Sequence, residues 1–340
     1  MRRTLISILL VGCVGIALLG ALPPAYAQNN ETNTPFPTNT PRQRATPSPT
    51  YTPPPTVTPA PTTISTLIPG GFGGADATWT PLPPTESNVV EGHFLFRRPF
   101  SDDLITYWAR NYAYGSTSNG NLRVHHGLDF PNPSGTPVLA AADGVVYWAG
   151  EDVTTLFGPQ PDFYGRLIVI EHPFQYVGGI KIYTLYGHLR DVNVTVGETV
   201  TAGQVIGYVG SAGIAAGAHL HFEVRTGEPE NYYATRNPEL WLAPYPNTGV
   251  VAARVMDVNG TPLQGVMVEV KSPGVYQQAW TYTGFNVNGD LGFNENVTVP
   301  DVPAGYHTLT ITGADTILRY RRIVYVEAGK VTLVTINIQP

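Results

Sequence analysis

The chain has a single cysteine, Cys13, inside an N-terminal apolar run. Without a second thiol, neither an intrachain disulfide nor a cysteine-based zinc site can form. Charge is scarce as well: 13% of residues are charged and the net charge is −6. No cluster of cations is available to neutralise phosphates, so nucleic acid is not expected as a partner. No lysine lies between Lys181 and Lys271. The hairpin-like stretch from Val194 to Val209 therefore lacks the modifiable residue that a biotinyl- or lipoyl-type carrier needs. Amphipathic helical periodicity is missing too, apart from a short turn near Asp102 to Arg110.

What is abundant is glycine (36) and proline (32) in 340 residues, a composition of turns and β structure rather than of helical bundles. That length accommodates two or three domains. Arg2 and Arg3 precede an uncharged run from Thr4 to Leu22, and Ala25-Tyr26-Ala27 has the small-X-small pattern of a signal-peptidase site. Residues 1–27 thus read as an export signal cleaved after Ala27. Left uncut, the run is long enough to anchor the chain in a membrane, and Leu10-Val11-Gly12-Cys13 loosely resembles a lipoprotein box. Each of the three readings puts the protein outside the cytoplasm, in the envelope or beyond it. Residues 28–85 are rich in Thr and Pro, too poor in apolar side chains to offset the entropy of ordering. As extended polyproline II at about 3.1 Å per residue, such a linker reaches on the order of 100 Å.

Dense β patterning begins near Val89, and three of its segments carry histidine. In Gly217-Ala218-His219-Leu220-His221-Phe222-Glu223-Val224, a strand would place His219, His221 and Glu223 on one face, with Leu220, Phe222 and Val224 packed on the other. Same-face neighbours lie about 6.5–7 Å apart, so one imidazole can bind a metal while the other reaches its surroundings. In His125-His126-Gly127-Leu128-Asp129, the first and last residues would be about 13 Å apart on a straight strand. Serving one metal requires a bend there, which Gly127 permits. The third segment, Tyr186-Gly187-His188-Leu189, places a histidine at a strand end.

These segments resemble the zinc motifs of the lysostaphin-like (LytM-type) family of extracellular metallopeptidases that cut peptidoglycan cross-bridges. The likeness runs from about Glu91 to Leu242 and includes Gly135-Thr136-Pro137-Val138 and the stretch Val196 to Gly207. One departure is Ala218, where the family usually has proline. The resemblance implies that His125, Asp129 and His221 hold one Zn²⁺ per chain and that His188 and His219 stand beside it. One of that pair would take a proton from water, and the other would stabilise the oxyanion and assist the leaving amine, with His219 favoured as base. Three N/O donors leave a fourth tetrahedral position open, as catalytic zinc requires. The motif His-Glu-X-X-His is absent, so the glutamate base of helix-borne zinc sites has no counterpart. His93, His126, His172 and His307 read as structural or exposed, Glu223 as a polar residue of the strand face or a support behind the metal ligands, and Tyr164 and Tyr186 as packing or groove-lining.

After Pro246, short strands with Asn259-Gly260 and Asn288-Gly289 turns indicate a small β-sandwich. It resembles carboxypeptidase-regulatory-like, transthyretin-like domains. The sequence thus predicts a mainly β protein: a lysostaphin-like β-sheet metallopeptidase domain over residues 86–245, followed by a transthyretin/Ig-like sandwich over 247–340. Its expected activity is zinc-dependent hydrolysis of peptidoglycan cross-bridge peptides. The alternative is a domain of the same build that binds peptidoglycan or activates another hydrolase without cutting.

Overall fold

The computed structural model describes residues 87–284, 287–313 and 316–339. The export segment 1–27, with Cys13, and the linker 28–85 lie outside the described residues. No helix among the described residues is long and apolar enough to cross a membrane.

The first strand is β1 (Ser87–Glu91). A nine-stranded sheet follows: β2 (Leu128–Phe130), β3 (Pro137–Leu139), β4 (Gly144–Glu151), β5 (Arg166–Tyr176), β6 (Ile180–Val192), β7 (Thr199–Val200), β8 (Val205–Val209), β9 (Leu220–Thr226) and β10 (Thr235–Arg236). Its main path is β10-β9-β6-β5-β4-β7; β2 pairs with β9, and β8 pairs with both β3 and β6. All these pairings are antiparallel. At the centre, β6 is buried continuously from Ile182 to Leu189, and every residue of β9 is buried. Both faces of these strands are covered, so their apolar runs do not alternate cleanly with polar residues. The strand that bears His221 is therefore interior rather than half-exposed.

The remaining strands are β11 (Thr248–Met256), β12 (Met267–Ser272), β13 (Val275–Trp280), β14 (Val297–Pro303), β15 (Gly305–Thr312), β16 (Leu318–Val326) and β17 (Lys330–Asn337). With β1 they form two four-stranded sheets, β1-β17-β11-β14 and β13-β12-β15-β16. Val251, Val255 and Val299 from one sheet share a core with Val270, Leu309 and Val324 from the other, which makes the pair a sandwich. β1 reads in sequence as the start of the metallopeptidase segment, yet it is hydrogen-bonded along β17, from Ser87↔Val334 to Glu91↔Lys330. A five-residue strand carries little information about its partner, and β17 offered it an open edge.

The sandwich and the large sheet share a core as well. Phe96, Trp241 and Leu242 cluster with Val250, Ala252, Tyr282 and Val331. Across the same seam Arg98 donates to Asp301 at 2.7 Å and lies 3.8 Å above the Tyr245 ring. His93 pairs with Asp290 at 2.9 Å and stacks on Phe293. Two buried carboxyls sit here too. Glu239 accepts from the Trp108 indole at 2.9 Å. Glu295 accepts from the Tyr282 hydroxyl at 2.8 Å and from the Asp290 amide at 2.9 Å. Burial pushes each of the two up to about 7. A carboxyl whose pKa is higher folded than unfolded stabilises the fold fully below its unfolded value, and that stabilisation is lost as pH rises through the folded value. Chemical unfolding at pH 5 and pH 8 should therefore show Glu295→Gln, which stays neutral, gaining on the wild type with pH. The expected gain is on the order of 3 kcal/mol, and parallel stability curves would contradict a neutral Glu295.

Candidate metal centre

Strand register brings the site together. On one side of His221, β2 places Asp129 directly opposite it; on the other side, β6 places Gly187. Gly187 has to be small, because a Cβ there would come within 2.9 Å of the Tyr164 ring and 3.6 Å of the His221 Cβ. Gly127 is needed for a related reason and not for a left-handed bend. A side chain there would meet the Phe222 carbonyl at 2.5 Å and His221 Nε2 at 2.8 Å.

Three donor atoms converge. Asp129 Oδ1 lies 3.1 Å from His125 Nε2 and 2.9 Å from His221 Nδ1, and the two nitrogens are 3.2 Å apart. Bonds of about 2.0–2.1 Å to a tetrahedral ion put donors about 3.3 Å apart, so this triangle has the size of one face of a zinc site. The outward bonds fix the tautomers. His125 Nδ1 donates to the Tyr112 carbonyl at 2.6 Å, and His221 Nε2 donates to Glu223 at 2.9 Å. Each ring then turns its other nitrogen inward, toward a carboxylate oxygen. Burial disfavours charge on Asp129, yet His125 and His221 hold it well below the usual carboxylate range. Burial likewise opposes charge on His221, but its bonds to Asp129 and Glu223 outweigh that and raise it to about 9. The pull toward a bound proton marks the triangle as a seat for positive charge.

Behind the triangle lies a buried relay that the sequence reading only brushed. Glu223 is wholly buried; the oxygen that takes His221 also accepts from the Tyr164 hydroxyl at 2.5 Å, and its other oxygen accepts from Arg225 Nε at 2.7 Å. Arg225 in turn bonds the Tyr164 oxygen and the Pro229 carbonyl. Burial works against ionised Glu223, but Arg225 and His221 keep it far below the carboxylate range. Arg225 was missed entirely, although the alternation His221, Glu223, Arg225 put it on the same strand face. Tyr112, stacked on His125 at 4.1 Å and 5°, was missed as well. Tyr164 lines the cleft, whereas Tyr186 is buried core, its hydroxyl taking the Ala141 amide proton.

His188 and His219 flank the triangle, with ring centroids 4.8 Å apart. His188 occupies a left-handed conformation, φ 61°, where β6 breaks its pleat to turn the ring inward. Such strain in a non-glycine residue tends to mark a functional position. Its Nδ1 donates to the Ala212 carbonyl at 2.8 Å, and His219 Nδ1 donates to that of Gly217 at 2.9 Å. Both rings thereby keep an Nε2 lone pair for the cleft. Burial and the neighbouring histidines push His188 down to about 3, and burial lowers His219, so both stay neutral at pH 7. The cleft, about 510 Å³, is walled by Leu122, Phe163, Ile214 and Tyr232, with Arg123 at its rim. His126, His172 and His307 each bond a nearby protein oxygen away from the triangle.

Residues 123–232 match the sequence profile of Peptidase family M23. The DD-carboxypeptidase/endopeptidase Mpg of Neisseria meningitidis serogroup B is 40% identical over 124 residues, 36% of this chain and 25% of its own. The peptidoglycan DD-endopeptidase ShyC of Vibrio cholerae is 36% identical over 104 residues, 31% of this chain and 21% of its own. The chain thus spans a quarter or less of the length of these two curated relatives. Among solved structures, the catalytic domain of lysostaphin from Staphylococcus simulans is 30% identical, covering 41% of this chain and 95% of that one, with a TM-score of 0.33. Profile and relatives agree with the histidine and aspartate geometry, and the chain carries a domain of Peptidase family M23.

Proposed function

We propose that this chain is a zinc endopeptidase that hydrolyses peptide cross-links of peptidoglycan. The observation that carries the reading is the triangle of Asp129 Oδ1, His125 Nε2 and His221 Nδ1, all within 3.2 Å of one another. Those three residues would hold the ion. When bound, zinc supplies Lewis acidity and makes water a competent nucleophile at neutral pH. The chain's own groups do the rest. His219 Nε2, 3.6 Å from Asp129 Oδ1, is placed to accept the proton that water gives up. The proton gained by His219 can then pass to the leaving nitrogen, and His188, whose Nε2 lone pair also faces the cleft, stands beside it as a second acceptor that stabilises the charge. The apolar walls of the cleft hold the peptide and thin out bulk water. The names of the relatives support a peptidoglycan substrate, and the export signal read at residues 1–27 supports an envelope location.

Digestion of cross-linked muropeptides, with products identified by mass spectrometry, tests the activity; intact cross-links after incubation with zinc-loaded protein would refute it. His221→Ala should lose both zinc and activity. His188→Ala should keep zinc while kcat falls about 10²-fold or more, as for removal of an acid–base group. Zinc lost from His188→Ala would overturn this division of labour. Glu223→Gln should weaken zinc binding about 10- to 100-fold, the usual cost of removing the partner that orients a ligating histidine. Chelator competition measures that directly, and unchanged affinity would remove Glu223 from the site.

A further inference from the structure

Asp129 and His221 ride on paired strands of the large sheet, but His125 precedes β2 and belongs to no strand. It is held by the segment from Arg110 to Val124. Tyr112 supplies the carbonyl that takes His125 Nδ1 and the ring that stacks on it. The Gly115 amide donates to the His125 carbonyl at 2.8 Å, and the His125 amide donates to that of Ser116 at 2.9 Å.

The far side of this segment is bonded to the sandwich. The Thr283 amide donates to the Gly115 carbonyl at 2.8 Å, and the Thr283 hydroxyl donates to it at 2.9 Å. Gly115 therefore has its N–H on the candidate ligand and its carbonyl on the sandwich. Its φ is +74°, and a Cβ there would come within 2.6 Å of the Tyr282 ring. Tyr282 meets Tyr114 edge-on at 5.3 Å and 87°, and the Tyr114 hydroxyl accepts from the Asn288 amide at 3.2 Å. Arg110, at the start of the segment, donates to the Pro300 carbonyl at 3.2 Å and to Asp301 at 3.3 Å.

We propose that the C-terminal sandwich is a working part of the metal centre, with Tyr282 and Thr283 as positioning residues that set His125 through Gly115. The inference rests on the zinc reading above. A donor already held in place loses little freedom when it binds, whereas a loosened one must be ordered at that moment. Releasing the sandwich contact at Gly115 charges that ordering chiefly to His125, because Asp129 and His221 stay held by the pairing of β2 with β9. A domain that merely stabilised the fold would change the unfolding midpoint and leave the zinc affinity of folded protein as it was.

The test uses the full chain and zinc alone, with dissociation constants from chelator competition well below the unfolding temperature. Thr283→Pro removes the amide donor and the hydroxyl together, and should weaken zinc about 10-fold or more, the range for lost outer support of a ligand. In a His125→Ala background the same change should add almost nothing, because both act through one ligand. Wild-type zinc affinity in folded Thr283→Pro, or a full additional loss in the double variant, would overturn the proposal. If His125→Ala itself left affinity unchanged, the metal reading would fail instead. Should Thr283→Pro not fold, Tyr114→Phe decides: weaker zinc and faster hydrogen exchange at the His125 amide are expected, and wild-type values for both would overturn the proposal.

Discussion

Three lone pairs aimed at one another across about 3 Å repel unless positive charge lies between them, and much of the surrounding structure exists to keep them so aimed. Each ring spends its outer hydrogen on a fixed oxygen, that of Tyr112 for His125 and that of Glu223 for His221. Glu223 would itself be untenable at full burial without Arg225, whose guanidinium is wholly buried beside it. The glycines at 127 and 187 let backbone and ring approach closely enough for the register to hold. The site is thus an electrostatic demand for positive charge, prepared by strand pairing and by hydrogen bonds running outward.

The central sheet and the five residues at its heart could be read from the sequence because their determinants are local. His125-X-X-X-Asp129, Gly187-His188 and His219-X-His221 each span only a few residues, on or just before strands whose apolar patterning is plain. Glu223 was visible as a strand-face residue, but its burial was not, since that depends on the chain that covers β9 and on Arg225. Tyr112 stands 13 residues before His125, joined to it by a loop without periodicity, and no spacing rule links the two. The pairing of β1 with β17 is non-local in the extreme, and the sequence offers nothing at Ser87–Glu91 that names a partner. The contribution of the sandwich to His125 was hidden for the same reason: Gly115 is joined through its backbone to a residue 168 positions away, and no spacing rule links the two.

That first strand carries a consequence for the order in which the molecule can be completed. Ser87–Glu91 lies against Lys330–Asn337, which in turn runs parallel to β11. A chain synthesised from its N terminus holds an unpaired edge at β1 until the last strand of the sandwich is made. Closing so long a loop before any contact rewards it is slow. A molecule cut short anywhere in the final strands would leave β1 exposed as a sticky edge. The loop that presents His125 would then lie against an unfinished surface. Because β1 depends on β17, the later strands of the sandwich are a precondition for a well-formed centre, and a chain clipped within them would hold the candidate ligands poorly.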